Sequence, residues 1–505
     1  MCVLSASSDF EITGCQLNDV EGSQYFCINT FNNCYVATTP STNGANQRSE
    51  LGATPSAQQY GPVIPSASDP TIPRRYPRSQ LRRRHGQLTS PGKSCACGRR
   101  HPTSNSFRGP ERPMQGPNHR LDDPLVKHYL TCVVNIQYLL ANKAATATLI
   151  CVTVQTHATV HEAVRLLAAV HQDKRRSGQS RALETPNRKS HRIYGKFLVD
   201  LLYRERATYT KEDAIAALLV VSSVLFDGGT GDWKPWLRVV FNYLDRTFES
   251  HGGAGNALKT FAEDDSFIFV VKNAFWFDVI ASVTQRQRAH YYGDINKLFH
   301  PSCTTTPPPL SMNDSIGCHN DIFWALNRAS AFSSSTNPFR CYTSAFADTM
   351  KVLDTHAQGC RAPAPPYGQW SSWRFTSHML CMATIVLLQS LGPDAASSLP
   401  IKRTTQEFLQ SLRNVPTEER AQRHIVRSSV FSIFICGLFV TQQEDRQLLQ
   451  HHLRQQSTDS IGNCTAIVKL LKSIWQDHDS VSQNGKWLAP VTWRGPLEDS
   501  SLLLV

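Results

Sequence analysis

Apolar residues recur at helical spacing along most of the chain beyond residue 120. The strongest such segment is Ser266–Arg288, SFIFVVKNAFWFDVIASVTQRQR, in which Val271, Phe275 and Val279 share one face of a helix. The neighbouring face is apolar as well, so most of the helix circumference avoids water. A helix of this kind belongs in the interior of a helical domain.

One narrow polar stripe interrupts this helix. Asp278, Ser282 and Gln285 follow one another at helical spacing, and Arg286 lies beside the end of the stripe. An ionised carboxylate inside a buried helix is costly without a partner, so Asp278 needs a cation or a set of hydrogen-bond donors from another helix, and we predict the cation. Its role is then structural, with a catalytic or ligand-binding carboxylate as the alternative. The charges of Lys272 and Asp278 favour a protein core over a bilayer.

The rest of the pattern predicts further helices and no credible series of strands. The first helix begins at Asp122, where two acidic residues and a proline precede an apolar-periodic run. The other segments of helical period cover residues 160–171, 193–203, 211–226, 236–248, 321–332, 346–355, 374–389, 404–413, 426–440, 442–456 and 465–475. We therefore predict an all-α fold, a large multi-helix antiparallel array over residues 121–495. We also predict an irregular proline-rich insertion near residues 303–313 and a C-terminal tail over residues 496–505.

Residues 1–120 differ in composition from the rest of the chain. They are rich in Ser, Thr, Pro, Gly, Asn and Arg without a sustained period, which predicts a disordered tail. A basic cluster within this tail contains no acidic residue and consists of Arg74, Arg75, Arg78, Arg82, Arg83 and Arg84. Such a cluster is typical of a nuclear-import signal and also allows non-specific contact with nucleic acid. A solvated basic linker is the alternative.

Charge and cysteine usage add little beyond the cellular compartment. A net charge of +12 over 505 residues favours acidic partners only weakly. The 15 cysteines are scattered, and several lie within apolar helical patterns, which indicates reduced thiols in the cytosol or nucleus. Cys27 with Cys34, and Cys95 with Cys97, lack partners at the spacing of structural zinc sites. We therefore predict neither a metal ion nor a cofactor.

Common catalytic motifs are missing from the sequence. It has no GxxxxGK[ST] phosphate loop, no GxSxG nucleophile elbow and no HExxH metal helix. The main enzyme alternative is an all-helical magnesium-dependent isoprenoid-diphosphate enzyme, with carboxylates from Asp122 and Asp123 or from Glu263, Asp264 and Asp265. Both groups lie at helix starts, where capping explains acidic residues without chemistry. We therefore predict that the protein is not an enzyme.

Three segments carry a resemblance to a known family. They are NAFWFDVIASVTQRQR at Asn273–Arg288, VFSIFICGLFVTQQEDRQLL at Val430–Leu449 and SIGNCTAIVKLLKSIW at Ser460–Trp475. Over roughly residues 122–493 the chain resembles the second type of fungal-specific transcription factor domain, the helical regulatory region of fungal zinc-cluster transcription factors. The residues that match the motifs of this family are Phe275, Trp276, Asp278, Ser282, Arg286, Gly437, Asp445, Arg446, Asn463 and Trp475.

The resemblance implies a nuclear regulator of transcription whose helical domain binds other proteins, either the transcription machinery or a dimer partner. The DNA-binding module of the family uses six cysteines in two runs that each begin with CxxC. This sequence has no such runs, so we do not expect it to bind DNA directly and sequence-specifically. A cytoplasmic location, and a non-catalytic scaffold unrelated to transcription, are the remaining alternatives. No membrane partner is expected.

Overall fold

A computed structural model describes short strands near the start of the chain and most residues from 120 onward. The described residues are 4–5, 11–12, 17–20, 23–26, 120–138, 143–179, 193–195, 197, 201–202, 208–302, 310–334, 344–361, 372–391, 398–415, 419–457, 462–482 and 502–504. The basic cluster between Arg74 and Arg84 lies outside them, as do residues 303–309 of the proline-rich insertion.

The chain divides into two compact units, Met1–Met114 and Gln115–Val505. The first unit contains two antiparallel strand pairs, β1 (Leu4–Ser5) with β2 (Glu11–Ile12) and β3 (Leu17–Val20) with β4 (Ser23–Phe26). The sequence did not predict these strands, because segments of two to four residues are too short to display an alternating period.

The second unit is an all-α domain, which confirms the predicted fold class. Its first helices are α1 (Pro124–His128), a π-helical turn (Tyr129–Val133), α2 (Val134–Gln137), α3 (Lys143–Thr156), α4 (Ala158–Gln179), α5 (Lys211–Phe226), α6 (Lys234–Ser250), α7 (Ala254–Thr260), α8 (Asp265–Gln285) and α9 (Tyr292–Leu298). The later helices are α10 (Asn313–Ile316), α11 (Asn320–Ser334), α12 (Ser344–Arg361), α13 (Ser372–Leu391), α14 (Ser398–Arg413), α15 (Glu419–Ser428), α16 (Val430–Gly437), α17 (Gln443–Ser457) and α18 (Gly462–Ser482).

Helix α5 is at the centre of the first half of the domain. It begins with a capping box, in which the Thr210 hydroxyl accepts the Asp213 N–H at 3.2 Å and the Asp213 carboxylate accepts the Thr210 N–H at 3.1 Å. Every residue from Asp213 to Phe226 is buried. The helix packs against α4, α6, α8 and α18, which together cover its apolar circumference.

Helix α8 is the buried segment predicted from the apolar pattern. The Asp264 carboxylate caps its first turn by accepting the Phe267 N–H at 3.0 Å. The helix packs against α5, α6 and α11. Within the described part of the chain, α8 is the helix long and apolar enough to cross a membrane, yet 78% of that stretch is buried inside the domain. Its apolar surface is therefore used for the domain core.

Helix α13 organises the second half of the domain by packing against α11, α12, α14, α15 and α16. The single helix predicted over residues 426–440 is divided at Ser429 into α15 and α16. The polar helix α15 buries Ile425 and Val426, whereas α16 is buried along its whole length. The break allows α16 to enter the core while α15 keeps a polar face in water.

The last described residues belong to the domain core and not to a tail, contrary to the boundary predicted at residue 495. Leu502, Leu503 and Leu504 are buried. The Leu503 N–H donates to the Gly229 carbonyl at 2.9 Å, and Leu502 forms a β-bridge with Thr230. Three consecutive leucines are too short for a periodic signal, so the sequence did not reveal this contact.

Candidate functional site

Asp278 lies near the middle of α8 with only 4% of its surface exposed. One carboxylate oxygen accepts the backbone N–H of His290 at 2.9 Å, and the other accepts the N–H of Tyr291 at 2.8 Å. The Ser282 hydroxyl, one turn further along the helix, donates to the carboxylate at 3.5 Å. The favoured prediction of a cation from another helix is therefore wrong. The alternative, a set of hydrogen-bond donors, is what the structure shows, but the loop after α8 supplies them and not another helix.

The reversal of the chain that brings these donors to Asp278 begins at Arg286. Its backbone has the left-handed conformation (φ 55°, ψ 37°), and among the described residues other than glycine it is the one with positive φ. The N–H groups of Arg286 and Gln287 both donate to the Ser282 carbonyl, which ends the helix. The part that Arg286 plays in this turn therefore comes from its backbone conformation, since its side chain is exposed.

Burial and hydrogen bonding act on the Asp278 carboxyl in opposite directions. Burial raises the pKa of Asp278 to about 6, because the ionised form loses hydration in the domain interior. The N–H donors of Tyr291 and His290 act against this rise by stabilising the carboxylate. A raised carboxyl pKa beside a cavity is a physical mark of a candidate site, although structural carboxylates also produce it.

A cavity of about 510 Å³ lies beside Asp278, between α6 and the loop that follows α8. Its walls include Lys234 and Arg238 from α6 and Arg288 from the loop, all exposed. Asp245 closes the acidic side of the cavity and is bonded to His290 at 3.0 Å. This contact raises the pKa of His290 and favours its charged form. The cavity therefore offers more positive than negative groups, and it suits an anionic group better than a cation.

The amide of Gln285, the last residue of the predicted polar stripe, also lines this cavity. Its Nε2 atom is buried and has no hydrogen-bond partner among the described residues. The polar stripe on α8 thus forms the floor of the cavity. Polar residues on a buried helix need hydrogen-bond partners, and the cavity is a space in which such a partner can lie. The basic residues of α6 were missed, although the spacing of Lys234 and Arg238 by four positions could have placed them on one face.

The aromatic family-motif residues of α8 point into the core. The Phe275 ring packs against Tyr291 at a centroid distance of 5.2 Å, and the Trp276 ring lies 6.3 Å from Phe323. Phe275 also contacts Phe248 of α6 at 6.4 Å. These contacts hold α8 between its neighbours, so both aromatic residues serve the fold.

The second group of family-motif residues forms a connected cluster around Trp475. The Trp475 indole N–H donates to the Gly437 carbonyl at 2.8 Å, which ties α18 to the end of α16. Arg446 lies over the Trp475 ring at 5.4 Å and forms a two-pronged ion pair with Asp479 at 2.7 and 2.9 Å. Its Nε also donates to the Val440 carbonyl at 3.1 Å. The cluster joins three helices and contains no arrangement of a nucleophile and base.

The remaining family-motif residues are also explained by packing. Asp445 forms an ion pair with Arg413 of α14. A methyl group on Gly437 would lie 3.2 Å from both Leu449 and Leu471, so the helices approach closely at this glycine. Asn463 is buried, and its Cβ lies against Gly229 at the end of α5. All three positions lie where separate helices meet.

The carboxylates proposed for magnesium have structural partners. Asp123 caps α1 by accepting the Leu125 N–H at 2.8 Å and pairs with Arg165 at 2.8 Å. Asp264 caps α8 and accepts a hydrogen bond from Lys211 at 2.6 Å. The capping interpretation is confirmed for these two residues.

Comparison with known proteins assigns the helical domain to a family. A family model described as the fungal specific transcription factor domain matches residues 124–504, which is most of the chain and includes the buried leucines at its end. No curated protein and no solved structure matched the chain. The matched range contains both motif clusters described above, around Asp278 and around Trp475. The chain therefore belongs to the family of fungal specific transcription factor domains.

Proposed function

We propose that this protein is a regulator of transcription whose helical domain acts by binding another protein. The observation that carries the proposal is the family match over residues 124–504, because the family is one of transcription factor domains. The motif residues support a non-catalytic role, because their side chains hold neighbouring elements together. Asp278 bonds the backbone of the loop after α8, and Trp475 bonds the backbone at the end of α16. On this proposal the domain is a rigid platform that presents a surface to its partner.

The cavity beside Asp278 is the surface feature that best suits a partner. Lys234, Arg238 and Arg288 offer exposed cationic groups to an acidic side chain, while Asp278 and its loop fix the wall behind them. Charge pairs at the rim of an interface act mainly on specificity and on the association rate. We therefore assign the partner an acidic segment that enters this cavity.

A tethered reporter experiment tests this function. The full chain is fused behind a heterologous DNA-binding domain, and expression of a reporter with the matching site is measured in a fungal host. We expect the fusion to change reporter expression, and we expect Lys234→Glu combined with Arg238→Glu to abolish the change. The charge reversal repels an acidic partner without altering any described core residue.

A matched control uses the exposed basic pair on α18. Lys469→Glu combined with Lys472→Glu makes the same change in net charge on a different face. This variant should keep the wild-type reporter response. A wild-type fusion without effect would favour a scaffold unrelated to transcription, and equal losses in both double variants would remove the cavity as the contact surface.

We also propose that the protein is nuclear and that direct, sequence-specific DNA binding is not its activity. The N-terminal basic segment would then contact nucleic acid loosely through phosphates, with strong dependence on salt. The cluster at Arg82, Arg83 and Arg84 is the proposed import signal, because it is strongly basic and contains no acidic residue.

Replacement of Arg82, Arg83 and Arg84 by alanine should move a fluorescent fusion of the full chain from the nucleus to the cytoplasm. The physical reason is the loss of three adjacent cationic side chains that an import receptor would bind through acidic groups. Fluorescence microscopy measures the ratio of nuclear to cytoplasmic signal. Alanine at Lys93, Arg99 and Arg100 is the control, since it removes the same charge nearby. Equal ratios in the wild type and the first variant would contradict this import route.

A further inference from the structure

Two histidines and one aspartate converge where the start of α11 meets α12. The Asp321 carboxylate lies 2.8 Å from Nε2 of His356 and 3.7 Å from Nδ1 of His319. The two imidazole rings have a centroid distance of 4.4 Å. One ligand atom from each residue can be chosen so that all three lie within 4.8 Å of one another. The group is half-buried and lies outside both motif clusters.

We propose that His319, Asp321 and His356 form a binding site for one zinc ion or a similar divalent transition-metal ion. Two imidazole nitrogens and one carboxylate oxygen are a donor set that zinc accepts, with a fourth position left for water or another ligand. Zinc bonds of about 2.0–2.2 Å place neighbouring donor atoms of a tetrahedral site roughly 3.4 Å apart. The observed separations of 2.8 and 3.7 Å lie on either side of this value.

The backbone around the first two ligands is held in place by neighbouring elements. The His319 N–H donates to the Ser377 hydroxyl of α13 at 3.1 Å. The Asn320 side chain bonds the preceding loop twice, donating to the Leu310 carbonyl at 2.9 Å and accepting the Met312 N–H at 3.0 Å. The backbone that carries His319 and Asp321 is therefore fixed, and ligands on a fixed backbone are positioned more precisely than ligands on a free loop.

The hydrogen bonds within the group show which atoms a metal ion would bind. The Asp321 N–H donates to Nδ1 of His319 at 3.3 Å, so this nitrogen carries a lone pair, and a bound ion would replace that hydrogen bond. Nε2 of His356 bonds the Asp321 carboxylate at 2.8 Å, and an ion placed between them would replace this bond as well. Neutral imidazole and ionised carboxylate are the forms that bind a metal ion.

The bound ion would connect two helices that are separate in sequence. His319 and Asp321 belong to the start of α11, whereas His356 lies towards the end of α12. A ligand that binds only the folded arrangement raises the melting temperature as its concentration increases. Zinc would thus stabilise the α11–α12 pair, and its loss would loosen the packing of both helices on α13.

The test is titration of the untagged, chelator-treated full chain with Co²⁺, followed by competition with Zn²⁺. We expect one equivalent of Co²⁺ with visible absorption typical of nitrogen and oxygen ligands, displaced by Zn²⁺, and a rise in melting temperature with zinc. His356→Gln keeps a hydrogen-bond donor for Asp321 but removes the imidazole, and it should weaken this equivalent by about tenfold or more. His319→Ala should do the same, with circular dichroism confirming that each variant is folded.

Two further measurements keep the result specific to this site. His300→Ala removes an exposed histidine that contacts Trp324 and should leave Co²⁺ binding unchanged. Metal bound through cysteines would give a strong near-ultraviolet thiolate band that persists in the histidine variants. The proposal is overturned if that band accounts for all bound Co²⁺, or if folded His356→Gln and His319→Ala proteins keep the wild-type stoichiometry and affinity.

Discussion

Replacement of Asp278 by alanine is expected to lower the free energy of unfolding by about 2–4 kcal/mol at neutral pH. The change strands the buried N–H of Tyr291 and the partly buried N–H of His290, and an unmade hydrogen bond at a buried group costs about 1–3 kcal/mol. Removal of the buried charge offsets part of this loss. Urea unfolding followed by circular dichroism measures the difference.

A second aspartate of the same helix provides the control. Asp265 is exposed in the first turn of α8, so Asp265→Ala should cost only about 0.3–1 kcal/mol, through its interaction with the helix dipole. If Asp278→Ala and Asp265→Ala proved equally stable while the Asp278 variant lost its reporter response, the carboxylate would be part of the binding surface instead of a support for the loop.

The cost of Asp278→Ala should also depend on pH. The pKa of Asp278 is about 6 in the folded protein, compared with about 3.9 for an unfolded aspartate, so the folded state binds more protons between these values. The stability that this carboxyl contributes therefore falls as pH rises from about 4 to about 6, by up to about 3 kcal/mol. The difference between wild type and variant should accordingly be larger near pH 5 than near pH 7. A difference that grows with pH would show that the pKa is lowered in the folded state.

The second large effect is expected at Gly462, the first residue of α18. A methyl group here would lie 2.5 Å from the Gly228 nitrogen and 2.6 Å from the Phe226 carbonyl oxygen. Both are backbone atoms at the end of α5 and cannot rotate away, so α18 would have to move from α5. We expect Gly462→Ala to lower the free energy of unfolding by about 3 kcal/mol, the upper end of common overpacking effects. Thermal and urea unfolding both measure this loss.

Gly255 is the matched position for this experiment, since it is also a helical glycine. A methyl group there would meet only Leu298, at an ordinary contact distance of 3.8 Å. Gly255→Ala should therefore raise stability by roughly 0.5–1 kcal/mol, because alanine loses less backbone entropy in a helix. If alanine at 462 were tolerated as well as alanine at 255, the close approach of α18 to α5 would not exist in solution.

The most buried helices were predictable because burial leaves a periodic trace in the sequence, whereas α3 (Lys143–Thr156) and the short helices α7, α9 and α10 were not predicted. Helix α5 has the predicted bounds of 211–226, and α8 differs from its predicted segment by one residue at the start and three at the end. Both are buried almost all round, so apolar positions and flanking caps define them. Residues 502–504 gave no such trace, because their burial depends on a β-bridge and not on a helical face.

The partners of site residues were much less predictable than the residues themselves. The polar stripe correctly indicated that Asp278 needed donors, but backbone N–H groups are the same for every residue and leave no mark in a sequence. The convergence of His356 with His319 and Asp321 depends on how α12 packs beside α11. Only His319 and Asp321 are close in sequence, and two such residues alone do not define a metal site.

The position of Leu502–Leu504 against Gly229 affects how the domain is assembled during synthesis. Helix α5 leaves the ribosome long before the leucines that bond and cover its C-terminal end. Contacts between distant parts of a chain form slowly, and apolar surface that waits for them is exposed to aggregation. We therefore expect the end of α5 to remain uncovered in the nascent chain until Leu504 has been made.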